Sequence, residues 1–155
     1  MNQTSENVLQ ISHFVFDKIH FQRIGFKSEG GDLSPAQIGV GIKKLDANQY
    51  TVSLTVSVKK ENEYEASVTI IGFCEVDDNR PDLQDLLNIN APSILFPYAR
   101  AELTLITAQP ETDSVVLPVV NFQAMYERAT MKQAPSKTVT LLYLLGWGFF
   151  CFSPS

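Results

Sequence analysis

The sequence predicts an α+β fold: a four-stranded antiparallel sheet followed by a long helix and a short C-terminal helix. Two observations carry that prediction. Between Ile11 and Phe73 apolar residues recur with a period of two, the mark of strands with one buried face. After Pro81 the spacing turns helical, and prolines stand where the first turn of a helix tolerates them. Strands first and helices after is the order of an α+β domain, not of an alternating parallel sheet.

A chain of 155 residues is large enough for one domain with one core. Its apolar and aromatic content is that of a folded protein. We divide it into a flexible leader, 1–10, a folded domain, 11–130, and an atypical apolar tail, 131–155. The polar start Met1-Asn2-Gln3-Thr4-Ser5 has no basic head and no long apolar run, so it reads as a frayed leader rather than a secretory signal. Acidic residues outnumber basic ones, 17 to 12, and the last 25 residues hold two lysines and no acid. A body that acidic repels phosphate backbones, which argues against a nucleic-acid partner. Cys74 and Cys151 are far apart and lack metal-type spacing, which fits a reduced, cytoplasmic setting.

The first strand spans Ile11–Phe26, and its alternation slips near Asp17-Lys18, the sign of a bulge. The second, Gln37–Lys44, alternates Ile38, Val40 and Ile42 with Gly39 and Gly41, which leaves room for close approach of another backbone. The third, Tyr50–Lys59, alternates without a slip: Tyr50, Val52, Leu54, Val56 and Val58 against a Ser/Thr-rich face. The fourth, Glu63–Phe73, repeats this after the turn Lys60-Glu61-Asn62. The Ser/Thr face of this hairpin is either plainly solvated or a seat for another subunit.

Leu83, Leu86 and Leu87 predict a short helix after Pro81. The main helix, near Pro92–Ala108, has two possible starts: Ser93 as N-cap with a kink at Pro97, or Pro97 as the first helical residue. Tyr98, Ala101, Leu105 and Ala108 form one stripe, and Arg100 lies on another face, where its fork can hold a carboxylate or carbonyls across an interface. Pro118 bars a regular central strand from Val115-Val116-Leu117-Pro118-Val119-Val120, and a last helix follows near Asn121–Thr130.

Catalytic chemistry finds little support. His13 and His20 are the only histidines, and on a regular strand their odd spacing sets them on opposite faces, without further ligands for a metal. Cys74 lies in an apolar run, the setting of a buried hydrophobe. Glu63 and Glu65 read as solvated charge on a hairpin. Phosphate-loop and nucleophile-elbow motifs are missing, so we expect neither an enzyme nor a cofactor or metal.

Two stretches resemble one family. Ser93-Ile94-Leu95-Phe96-Pro97-Tyr98-Ala99-Arg100, preceded by Pro92, is similar to the helix-opening Pro-Asn-Ile-Leu-Phe-Pro-Tyr-Ala-Arg of the SecB protein-export chaperones, with Ser93 in place of the Asn. Leu117-Pro118-Val119-Val120-Asn121-Phe122, followed by Met125-Tyr126, resembles the family's Leu-x-Pro-Val-Asn-Phe. The resemblance covers roughly Ile11 to Arg128. It implies an ATP-independent holdase: a homotetramer, built as a dimer of dimers, that keeps unfolded precursor proteins competent for export and passes them to the SecA motor. On it, Pro92, Phe96, Pro97, Tyr98 and Arg100 form the oligomer and structural motif. A receptor for unfolded chain needs apolar grooves without a fixed hydrogen-bond code. Candidates to line one are Ile70, Phe73, Val116, Leu117, Phe122, Met125 and Tyr126; ordinary core packing is the alternative for each.

The chain departs from the family in two places. Family members carry acidic residues around an Ile-x-Phe of the first strand that help dock the motor's zinc-bearing tail; aligned on Ile19-His20-Phe21, this chain has Lys18 and Gln22. SecB-like chaperones also serve toxin–antitoxin systems by protecting an antitoxin, and this substitution makes that role the competing one. A small apolar-ligand carrier is a third reading, favoured by a closed cavity. The second departure is the tail, where Thr138–Phe152 is apolar but shorter than the roughly 20 residues that span a bilayer. It reads as a groove-filling segment, a membrane-surface anchor or a frameshifted end, joined at Pro135-Ser136-Lys137.

Overall fold

A computed structural model describes residues 8–26 and 31–132, and the backbone of 141–144 and 150–152. Residues 1–7 of the leader and the join at Pro135-Ser136-Lys137 lie outside the described residues. Strands β1 (Gln10–Arg23), β2 (Gln37–Asp46), β3 (Gln49–Lys60) and β4 (Tyr64–Glu75) form the expected antiparallel sheet, in the order β1-β4-β3-β2. Asn48 and Asn62 turn the two hairpins at positive φ, 59° in each, a conformation asparagine tolerates better than most residues.

One face of the sheet makes the core. Val52, Leu54, Val56, Val68 and Ile70 are all fully buried. Helix α1 (Leu83–Asp85) runs through a π-helical turn (Leu86–Asn90) into α2 (Ala91–Thr107), and α2 packs on β3 and β4. Gly72 permits that closeness, because a Cβ there would lie 3.1 Å from both terminal carbons of Leu95. Neither predicted start of the main helix holds. The helix begins at Ala91, Pro92 takes the first turn, and Pro97 sits inside. Proline at 97 removes one N–H, but burial of Leu95, Phe96 and Ala99 against the sheet carries the helix through. Helix α3 (Phe122–Met131) is capped by Asn121, whose side chain accepts from the Ala124 N–H at 3.0 Å.

Two features of the strands differ from expectation. The slip at Asp17 is a real register shift, which places both His13, opposite Phe73, and His20, opposite Ser67, on the Ser/Thr face. The bulge changes the strand's phase, so odd spacing no longer means opposite faces. Glu63 is not solvated: it sits in the turn before β4, fully buried, with its carboxylate 3.0 Å from Lys60 Nζ. Its carbonyl receives the N–H groups of Ile24 and Gly25, and so ties the end of β1 to the turn.

The tail adds two short strands, β5 (Leu141–Leu144) and β6 (Phe150–Phe152), beyond the four expected. They extend the sheet to β1-β4-β3-β2-β5-β6.

Candidate functional site: the apolar surface around helix α2

Helix α2 sorts its side chains between two environments. Ala91, Pro92, Leu95, Phe96, Ala99 and Leu103 face the core. Ile94, Tyr98 and Leu105 face out, with Leu105 66% exposed. This outer stripe continues onto β1. Phe14, Phe16 and Ile19 stand opposite Gly72, Ile70 and Val68, on the same side of the sheet as α2. The Phe14 and Tyr98 rings meet at 4.4 Å between centroids, joining strand and helix in one apolar surface.

On its other flank α2 borders the extended stretch from Val115 to Val120. Val115 and Leu117 are buried, while Val116 and Val119 face solvent. Two threonines fix this alternation. Thr104 Oγ donates to the Val115 carbonyl at 2.8 Å, and Thr107 Oγ accepts the Val115 N–H at 2.9 Å. Beside it a cleft of about 140 Å³ opens between Ser93, Phe96, Pro97 and Arg100 of α2 and Val119, Val120 and Phe122. Phe96 and Phe122 close its floor edge to face, 5.6 Å apart. Its walls are apolar, with the Arg100 guanidinium and the Ser93 hydroxyl as its polar side chains.

The predicted groove residues do not all converge there. Phe122 lines the cleft. Within the extended stretch Leu117 is buried, and Val116 faces solvent. Met125 and Tyr126 are half-buried on α3, where desolvation raises the Tyr126 hydroxyl pKa. Ile70 is fully buried in the core. Phe73 lies on the opposite face, stacked on His13 at 4.3 Å. Within the oligomer motif, Pro92 and Phe96 are buried, Pro97 and Tyr98 exposed, and Arg100 half-buried. Sequence reasoning missed Phe14, Phe16 and Val119 as surface apolar groups. The Val119 signal was available: a proline-interrupted apolar run cannot enter a sheet and must leave part of itself outside.

Lys18 and Gln22 stand opposite Thr69 and Glu65, on the Ser/Thr face with both histidines. On that face the Thr55 and Thr69 hydroxyls bond at 2.9 Å, and Lys59 pairs with Glu65 at 2.8 Å. Among the described residues no group of three or more His, Cys, Asp or Glu is placed to hold a metal, and no helix is long and apolar enough to cross a membrane. Cys74 is buried, which pushes its thiol up to about 11 and leaves it inert.

Comparison with known proteins agrees with this architecture. Residues 11–133 match the SecB family, described as preprotein translocase subunit SecB. The Protein-export protein SecB of Neisseria meningitidis is 30% identical over 115 residues, 70% of this chain and 78% of that protein. That of Hahella chejuensis is 27% identical over 137 residues, 77% and 84% of the two chains. The fold is also similar to a SecB-like chaperone of Mycobacterium tuberculosis, solved in complex with a ChAD peptide from the HigA1 antitoxin. That match has a TM-score of 0.60 and 10% identity, and covers 72% of this chain and 90% of that one. The chain belongs to the SecB family of protein-export chaperones.

Proposed function

We propose that this protein is an ATP-independent holdase of the cytoplasm that binds unfolded precursor proteins, with no catalytic step and no cofactor. The observation that carries the reading is the open apolar cleft at Phe96, Val119 and Phe122, set beside an exposed apolar stripe on the same helix. An unfolded chain offers apolar side chains without a fixed polar pattern, and an open apolar cleft takes such a ligand without demanding a sequence. The cleft's openness, with Val119 84% exposed, favours an extended chain over an enclosed small ligand.

The exposed apolar stripe of Phe16, Ile19, Tyr98 and Leu105 supports assembly into a homotetramer, a dimer of dimers, in which a second copy buries it. Sedimentation at micromolar concentration should give a tetramer, and Leu105→Asp a smaller species. A monomer for the unaltered chain would reject the assembly.

An antitoxin as client is the second reading. It is favoured by the antitoxin peptide bound to the similar mycobacterial chaperone, and by Lys18 and Gln22 where the family resemblance around Ile19-His20-Phe21 implies acids. The motor SecA is then engaged weakly, because a lysine set against a basic partner repels it. Calorimetry with the zinc-bearing tail of SecA separates the two: micromolar or tighter binding favours export, and its absence favours the antitoxin role.

A further inference from the structure

Strand β2 is the edge of the four-stranded core sheet away from β1, and its two halves differ. The half toward Asp46 carries Lys43 and Lys44, charges of the kind that discourage addition of another strand. The half from Gln37 to Ile42 carries none, and its two glycines leave the backbone bare. An uncharged, flat edge is a template for any extended chain, because its outward N–H and C=O groups have no partner of their own.

Among the described residues, the tail meets β2 on that half. Strand β5 pairs antiparallel with it, Gln37 opposite Leu144, Ile38 opposite Tyr143, Gly39 opposite Leu142 and Val40 opposite Leu141. Every paired position lies within the uncharged half, the last of them, Val40, three residues before Lys43. Strand β6 then pairs with β5 through three residues, so the new edge is much shorter than the old one. Short edge strands resist further addition. The segment is itself uncharged and rich in aromatic and aliphatic residues, the composition that aggregates when left extended and unpaired.

We propose that strands β5 and β6 form an intramolecular cap that closes the uncharged half of β2 against strand addition by other chains. Edge and tail protect each other. Tethering gives the cap an effective concentration near the millimolar range, so a chain arriving from solution must compete with a segment always at hand. A displaced cap leaves β2 open to one extended apolar segment.

The test uses the full chain and a lysine-flanked, fluorescent peptide of residues 140–145 as the incoming strand. Leu142→Pro removes a backbone donor from β5 and leaves the core sequence intact. Peptide affinity should rise by about tenfold or more in that variant, the margin expected when a tethered competitor is removed. Amide exchange across Gln37–Gly41 should quicken, and slow again with peptide bound. A second variant, Gly39→Cys with Leu142→Cys in a Cys151→Ser background, should form a disulfide within one chain and abolish peptide binding until reduced. Equal peptide affinity with and without Leu142→Pro overturns the proposal, as does unchanged exchange at Gln37–Gly41. So does a disulfide that forms only between chains.

Discussion

The hydroxyl of Thr107, fully buried at the last turn of α2, accepts the backbone N–H of Val115 at 2.9 Å and donates to the Leu103 carbonyl at the same distance. One side chain therefore closes the helix and pins the extended stretch that walls the cleft. Thr107→Val keeps the shape and strands a buried N–H, which costs about 1–3 kcal/mol. Thr107→Ser keeps the bond and should cost much less. Urea denaturation of the three proteins checks this, and equal midpoints would show that the wall is held by packing alone.

Close approach of α2 to the sheet is tested at Gly72. A methyl there meets Leu95 at 3.1 Å, so Gly72→Ala should destabilise by about 1–3 kcal/mol through overpacking. Combined with Leu95→Val the two costs should fall short of additive, since the smaller side chain relieves the clash. Strict additivity in a double-mutant cycle would place the strain elsewhere.

Acid sensitivity has a definable source at Asp78. Hydrogen bonds from Lys44 Nζ, at 2.6 Å, and from the Tyr50 hydroxyl hold its pKa down to about 2, against 3.8 for the free side chain. A depressed carboxylate pKa adds stability above the unfolded value and loses it as pH falls through the folded one. This share of stability should therefore be complete above about pH 4 and fade toward pH 2. Asp78→Asn should flatten that part of the profile of thermal midpoint against pH; an unchanged slope between pH 4 and 2 would assign it to other acids.

Much of this was legible in the chain. The unbroken alternation from Tyr50 to Val58 fixes both face and register of β3, because a slip of one residue would expose the whole set. The break at Asp17 was visible as a break, but its effect on His13 and His20 depends on where the strand resumes pairing with β4. The start of α2 was not readable, since propensity at Pro92 and Pro97 cannot register the burial of Leu95 over Gly72. Glu63 misled for the same reason: it is buried in a turn that the fold joins to Ile24 and Gly25 at the end of β1. In the candidate site, chain order marked the Leu117–Tyr126 region but could not tell Phe122, which lines the cleft, from Leu117, which is buried. Composition showed an apolar tail, yet its partner, β2, is set by topology.

The solvent face of β1 gives a prediction about partners. Lys18 and Gln22 lie on one exposed face of the strand, opposite Thr69 and Glu65, so both can be changed without disturbing the core. Lys18→Asp together with Gln22→Glu should strengthen binding of the basic, zinc-bearing tail of SecA, with an effect that shrinks as salt rises. Calorimetry at two ionic strengths is the check. No gain in affinity would mean that these positions are not where that partner docks.

The central claim, capture of unfolded chain at the cleft beside α2, is tested most directly by light scattering. A chemically unfolded, aggregation-prone protein is diluted into the full chain without nucleotide, and into its Val119→Glu variant. Val119 is 84% exposed, so the variant should melt as the unaltered protein does while placing a charge at the cleft. The account predicts that the unaltered chain suppresses scattering at a severalfold excess and that Val119→Glu loses most of that effect. Scattering unaffected by the unaltered chain would contradict the holdase, and equal suppression by both proteins would contradict the site.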